Sequence, residues 1–321
     1  MKPGSSSLRI FASIVTGFAF AVASFGQGKV AITIDDVPNV HLLRQRNFET
    51  IFLHALDSLQ IPVCIFINEG MVYRTPHVGE NFRLLDEWVK REYVTLGTHT
   101  FAHSHYSEVG FDAFVRDIER GEAVTRELAA IYHKELGHFR SPFNDLGKDS
   151  AQHVQIGNYL KERGYVSTPF TVESMDYMFN ALYEHHLGQG RRAEAEEVAR
   201  EYIDITLEYF AWFDSIALAH YGRSIPQIYL CHENSLNADC FSRLAEELSA
   251  GGYAFVSLDE AMKDPVYLQE DTFWEKWGIS WVYRWMTNRE ERLKLMRQEP
   301  EPTESYQLYE ELSQRGAPGG E

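Results

Sequence analysis

The chain has 321 residues, 44% hydrophobic and 24% charged, enough apolar material for a sizeable core in one large domain or two ordinary ones. Its formal net charge of −17 opposes binding to nucleic acid or to an anionic membrane surface. Beyond the N-terminus no apolar run reaches the roughly eighteen residues that a membrane span requires.

Lys2 and Arg9 precede or flank an apolar stretch over residues 10–23, and small residues follow at Ala21, Ala23 and Ser24. This pattern is that of a secretory signal over residues 1–26, removed on export. It places the mature protein outside the cell or in the periplasm, with no integral membrane association. The chain then alternates. Strands are expected at 30–34, 63–68, 93–97, 138–142, 165–172, 225–232 and 253–258. Helical spacing occupies 48–59, 80–92, 111–136, 151–164 and 239–252. Short apolar strands separated by helices argue for an α/β fold with a mainly parallel sheet, open or closed into a barrel. One segment is extra to this rhythm. Val198, Tyr202, Ile205, Tyr209 and Phe213 form one apolar face of a long helix at 191–213, best used for packing against the rest of the fold. Trp274, Trp277, Trp281 and Trp285 are spaced as a helical stripe, and packing is favoured over sugar stacking. From about Glu299 the chain is rich in Glu, Pro and Gly and is expected to fray. Of the three cysteines, Cys64 and Cys231 sit in strand-like runs. A Cys231–Cys240 disulfide is possible, but three free buried thiols are the expectation.

Several strand ends carry polar groups that a plain core does not need. The run 30–34 ends in two adjacent carboxylates, Asp35 and Asp36, a costly arrangement unless a cation sits nearby. His99 and His103 stand four apart after the third strand, so on a helical turn they would share one side. Sites in parallel α/β folds gather at the C-terminal ends of strands. Two imidazoles and one carboxylate suit Zn2+ with a position left for water, one aspartate binding the ion and the other taking a proton. Arg140 offers a fixed cation near this group, His232 directly follows an apolar strand, and Glu173 and Asp176 follow another. His105, two residues past His103, is expected to point elsewhere.

The order of these segments resembles the NodB-homology polysaccharide deacetylases, carbohydrate esterase family four. Thr33-Ile34-Asp35-Asp36-Val37 is similar to the first family motif. His99-Thr100-Phe101-Ala102-His103 matches the second and Arg140-Ser141-Pro142-Phe143 the third. Glu173-Ser174-Met175-Asp176-Tyr177 is similar to the fourth, and Leu230-Cys231-His232 matches the fifth. The resemblance covers about residues 28–260. It implies an irregular, incompletely closed (β/α) barrel of the NodB deacetylase type with a helical insertion at about 183–215, the whole lying within residues 27–264. Residues 265–321 would form a Trp-rich helical extension and a frayed tail. By the same resemblance Asp35 is the general base and Asp36, His99 and His103 are the metal ligands. The backbone N–H of Phe143 helps hold the oxyanion, Arg140 orients carboxylates, and His232 is the general acid tuned by Asp176. The metal is Zn2+, with Co2+, Ni2+ or Mn2+ as substitutes. The substrate implied is an N- or O-acetylated carbohydrate such as a peptidoglycan, chitin or xylan-type glycan. Val37-Pro38, Glu173, Tyr177 and Asn144-Asp145 depart from the family pattern and bear on the substrate more than on the reaction. The rival readings are an amide hydrolase acting on a small non-sugar substrate, and a carbohydrate-binding protein without turnover.

Overall fold

Among the described residues eight short strands, all parallel, make one sheet: β1 (Gly28–Val37), β2 (Val63–Ile67), β3 (Val94–Thr98), β4 (Leu136–Phe139), β5 (Val166–Ser167), β6 (Val172–Glu173), β7 (Gln227–His232) and β8 (Tyr253–Phe255). The structure, a computed structural model, describes residues 28–276 and 278–314. The signal expected over 1–26, Trp277 of the aromatic stripe, and the chain from 315 onward lie outside the described residues. The strand order is β5-β4-β3-β2-β1-β7-β6, with β8 added against the start of β1. The sheet is a barrel left open between β5 and β6, as the resemblance implies.

The two faces of the strands do different work, because successive side chains alternate. Ile32, Ile34, Val63 and Ile65 pack outward on Phe52, Leu84 and Trp88 of the covering helices. Ala31, Cys64, Phe66 and Ile228 face the other way, onto Leu258 and Ala261. Thr33 and Asp35 share the phase of Ala31, so they point into the barrel.

The segment 165–172, expected as one strand, is two short ones on opposite edges of the sheet. Pro169 lies between them; it has no N–H to give to a ladder, and the chain there crosses the barrel's open side. The long helix expected at 111–136 is also broken, into Phe111–Arg120 and Ala123–Ile131. The break lies at Gly121, where a Cβ would fall 2.4 Å from the Thr100 carbonyl carbon, so no other residue permits this approach of the loop. The buried Glu69 carboxylate accepts from the N–H groups of Val124 and Thr125 and so caps the second half.

The extra helix runs over Arg192–Tyr221 and packs beside the helix Asp176–Gly188, with Val198, Tyr202, Ile205, Tyr209 and Phe213 all buried. The packing use of its apolar face is what the structure shows. Among its described residues the Trp stripe is not one helix: Trp281–Arg284 makes a single turn. Trp281 instead meets Phe170 edge-on, and its backbone N–H donates to the Phe170 carbonyl at the barrel's open side. The described part of the tail does not fray from Glu299. Thr303–Gln314 is a helix, held because Ser305 donates to Glu201 and Tyr309 packs edge-on against Tyr177. Cys64, Cys231 and Cys240 are free and buried. Among the described residues no helix is long and apolar enough to cross a membrane.

Candidate active site

Parallel strands put their C-terminal ends at one mouth, and there the residues singled out in the sequence meet. Asp35 projects into the barrel by the strand alternation, so Asp36 would ordinarily face away. It does not, because β1 breaks register between Ile34 and Val37 and Asp36 takes a left-handed backbone, φ 59°. Both carboxylates therefore reach His99: its Nε2 is 3.9 Å from Asp35 Oδ2 and 3.8 Å from Asp36 Oδ1. His99 and His103 are not on a helical turn, as their spacing led us to expect. They sit on an irregular loop after β3, with Thr100 and His103 both at positive φ (68° and 58°). Strained backbone of this kind persists where the surroundings over-determine it, and it marks functional loops. Here Gly70 donates to the Phe101 carbonyl and Ala102 donates to the Asp117 carboxylate, which pins the loop from two sides.

One ligand atom each from Asp36, His99 and His103 lies within 4.8 Å of the others. His103 Nε2 is 3.3 Å from Asp36 Oδ1 and 3.2 Å from His99 Nε2. The His99 Nδ1–H donates to the Arg140 carbonyl at 2.8 Å, which selects the tautomer whose Nε2 carries a lone pair toward the cluster. Burial pushes the His103 pKa down to about 4, so its ring is neutral and able to ligate. Burial alone would raise the Asp36 pKa, but the cationic groups around it, His232 and Arg74 among them, outweigh it and hold the carboxyl below its usual range. Two converging imidazole nitrogens beside an ionised carboxylate make a donor set that fits a divalent cation.

Around this cluster stand two charge pairs. Arg140, 1% exposed, donates to Asp35 Oδ1 at 2.8 Å, to Thr33 Oγ1 at 2.8 Å and to the Pro169 carbonyl at 3.1 Å. Across the mouth, His232 ends β7 in register with Asp35. Its Nδ1 bonds Asp176 Oδ1 at 2.6 Å and its backbone N–H donates to Asp176 Oδ2 at 2.7 Å. Burial disfavours a charged His232, but the charge and hydrogen bond of Asp176, with Asp36 and Asp35 beyond, push its pKa up to about 10. Glu173 is placed behind this pair, its pKa raised to about 7 by burial and by Asp176. Phe143, at φ 57° and half exposed, forms a wall: it stacks on His105 at 3.6 Å between centroids and meets His103 edge-on at 4.4 Å. His105 is thus near the cluster without belonging to it.

Residues 23–176 match the family model described as polysaccharide deacetylase. That segment, a little under half of the chain, is similar to the polysaccharide deacetylases. Asp35, Asp36, His99, His103, Arg140 and Asp176 all fall inside the matched segment, while His232 lies beyond it and joins the site through the sheet. Among solved structures the chain is similar to a mutant of a CE4 family pseudoenzyme with restored enzymatic activity (15% identity, TM-score 0.48, 74% of this chain and 68% of that one). It is also similar to a polysaccharide deacetylase from Bacillus cereus (17%, TM-score 0.47, 72% and 91%) and to a peptidoglycan deacetylase from Bacillus subtilis (15%, TM-score 0.44, 76% and 96%). No curated protein matches the chain.

Several contributors to this site are not legible as such in the sequence. Glu233, buried next to His232, accepts from the Asn39 N–H at 2.7 Å and the Trp88 indole at 3.0 Å, tying the loop after Asp36 to the end of β7. Tyr309, from the C-terminal helix, borders Tyr177, which in turn meets His232 edge-on. Asn234 and Asn237 both donate to Asp176 Oδ2, at 3.0 and 2.6 Å. The two asparagines in the "CHENSLN" stretch after the fifth motif were the one visible signal.

Proposed function

We propose that this protein is a divalent-metal-dependent hydrolase that removes acetyl groups, from nitrogen or oxygen, on a carbohydrate. The observation that carries the reading is the convergence of Asp36, His99 and His103 between two oppositely equipped pairs, Asp35–Arg140 and Asp176–His232. Asp36, His99 and His103 would hold the ion, with Zn2+ the first choice for a nitrogen- and oxygen-donor set and Co2+, Ni2+ or Mn2+ as substitutes. When bound, the ion supplies Lewis-acid polarisation of the acetyl carbonyl and lowers the pKa of water.

The chain's own residues do the rest. Asp35 takes the proton from the attacking water, and Arg140 keeps its carboxylate oriented. The Phe143 backbone N–H donates to the developing oxyanion, and its exposed ring flanks the acetyl group. His232, with Nδ1 committed to Asp176, presents Nε2–H to the leaving amine or alkoxide. The raised pKa of His232, about 10, keeps it protonated as the acid opposite Asp35. This activity is assigned to residues 27–264, including the helical insertion. Residues 1–26 are assigned to secretion, checked by N-terminal sequencing of the exported protein.

Acetate release from N-acetylated and O-acetylated oligosaccharides, with and without a chelator, tests the proposal. Chelator-sensitive release, restored by added Zn2+, is the expected result. Glycan binding without release would move the protein to the non-catalytic reading, and hydrolysis confined to small amides would move the substrate away from sugars.

A further inference from the structure

The helix Arg192–Tyr221 reaches the acid pair through a chain of fully buried hydrogen bonds. Asn237 Nδ2 donates to Asp176 Oδ2 at 2.6 Å and to the His232 carbonyl at 2.9 Å. Both partners are acceptors only, so the Asn237 amide has one possible orientation and its Oδ1 must accept. It accepts from the Tyr202 hydroxyl at 2.7 Å. Tyr202, having given its proton to Asn237, can only accept from its other neighbour, the Tyr229 hydroxyl at 2.7 Å. Tyr229 in turn accepts from Ser174 Oγ at 2.8 Å. The direction of every bond follows from the anionic end: Ser174 to Tyr229 to Tyr202 to Asn237 to Asp176. None of Ser174, Tyr202, Tyr229 and Asn237 has any exposed surface, so water cannot replace a missing member. The chain also closes on itself. Ser174 and Asp176 flank Met175, which is held at φ 52° between them.

Resting on the deacetylation reading above, we propose that Tyr202 is a positioning residue for the reaction. Its hydroxyl orients Asn237, which supplies one of the donors that keep Asp176 as an acceptor for His232 Nδ1–H. The imidazole is thereby fixed in the tautomer and rotation that present Nε2 to substrate. The helix Arg192–Tyr221 thus has two parts to play, burying an apolar face and delivering one hydroxyl to the acid pair.

The test is Tyr202→Phe in the full, metal-loaded protein, which keeps the ring and removes only the oxygen. With an N-acetylated chitooligosaccharide, kcat should fall about tenfold while KM and metal content stay unchanged. The downfield Nδ1–H proton resonance of His232 should shift or broaden. Phe213→Leu, on the same helix and packed on Tyr283, controls for lost packing: it should lower Tm and leave kcat and that resonance alone. If Tyr202→Phe does not fold, Ser174→Ala removes the first donor of the chain and is read by the same resonance. A Tyr202→Phe protein that loses Tm but keeps kcat and the His232 signal overturns the proposal. So does an equal fall in kcat from Phe213→Leu. If the wild type releases no acetate, the deacetylation reading fails, and the resonance comparison still decides whether Tyr202 governs His232.

Discussion

Removing Arg140 is the sharpest perturbation that the site offers. Its guanidinium is buried and serves three acceptors: the Asp35 carboxylate, the Thr33 hydroxyl and the Pro169 carbonyl. Arg140→Met keeps much of the volume and the contact with the Phe66 ring, over which the guanidinium lies at 4.3 Å. What it removes is the guanidinium paired with Asp35, a residue 2% exposed. Breaking a buried pair by deleting one partner costs about 3–5 kcal/mol, because the other charge stays buried and uncompensated. Arg140→Lys should recover less than half of this, since an ammonium cannot span three acceptors set apart as these are. Replacing both partners, as Arg140→Met with Asp35→Asn, leaves no stranded charge. The double variant should therefore be more stable than Arg140→Met alone, with a coupling energy of about 2 kcal/mol or more. Urea unfolding of the wild type, Arg140→Met, Asp35→Asn and the double variant, stripped of metal so that ligand binding does not enter, measures the cycle. Costs that add to within about 0.5 kcal/mol would show that Arg140 and Asp35 are not energetically linked, and the account of Asp35 as a held carboxylate would be wrong.

Three other expectations rest on the same geometry. His99→Ala should lose most bound metal by elemental analysis and Asp36→Asn should bind it more weakly, whereas Asp35→Asn should keep the metal and lose turnover. In metal-free protein the His232–Asp176 pair should contribute on the order of 3 kcal/mol of stability. His232 has its folded pKa raised from 6.5 to about 10, so this contribution is complete below pH 6.5 and lost as pH rises through about 10. The stability gap between wild type and Asp176→Asn, followed by denaturation across that range, should narrow toward the alkaline end; a gap that widened would reverse the sign argued here. Gly121→Ala should cost about 2 kcal/mol or more and reduce metal binding, because its Cβ would collide with the Thr100–Phe101 backbone that carries His99 and His103. Normal melting and metal content in that variant would show that the loop has room.

Much of the site is legible in the sequence, for a physical reason. A carboxylate pair, a histidine pair, an arginine and a histidine placed directly after apolar runs are expensive in a core and recur only where chemistry compensates them. The parallel α/β alternation is equally plain from short apolar strands and amphipathic helices. Tertiary structure alone decided what depends on direction and on distant contacts. Strand alternation by itself sends Asp35 and Asp36 to opposite faces; only the break in β1 register and the left-handed Asp36 turn them to one histidine. The four-residue histidine spacing suggested a helical turn, and what brings the rings together is a strained loop seated on Gly70 and Gly121. The tryptophan spacing suggested a helix that does not form, because Trp281 is claimed by the open side of the barrel. Local composition argued that the tail would fray, yet Tyr309 and Ser305 find partners on helices that arise more than a hundred residues earlier. The hydrogen-bond chain from Ser174 through Tyr202 to Asp176 joins four segments that periodicity treats as unrelated. A helical tyrosine facing inward reads as core from sequence, and where its hydroxyl proton goes is settled only by what the fold places against it.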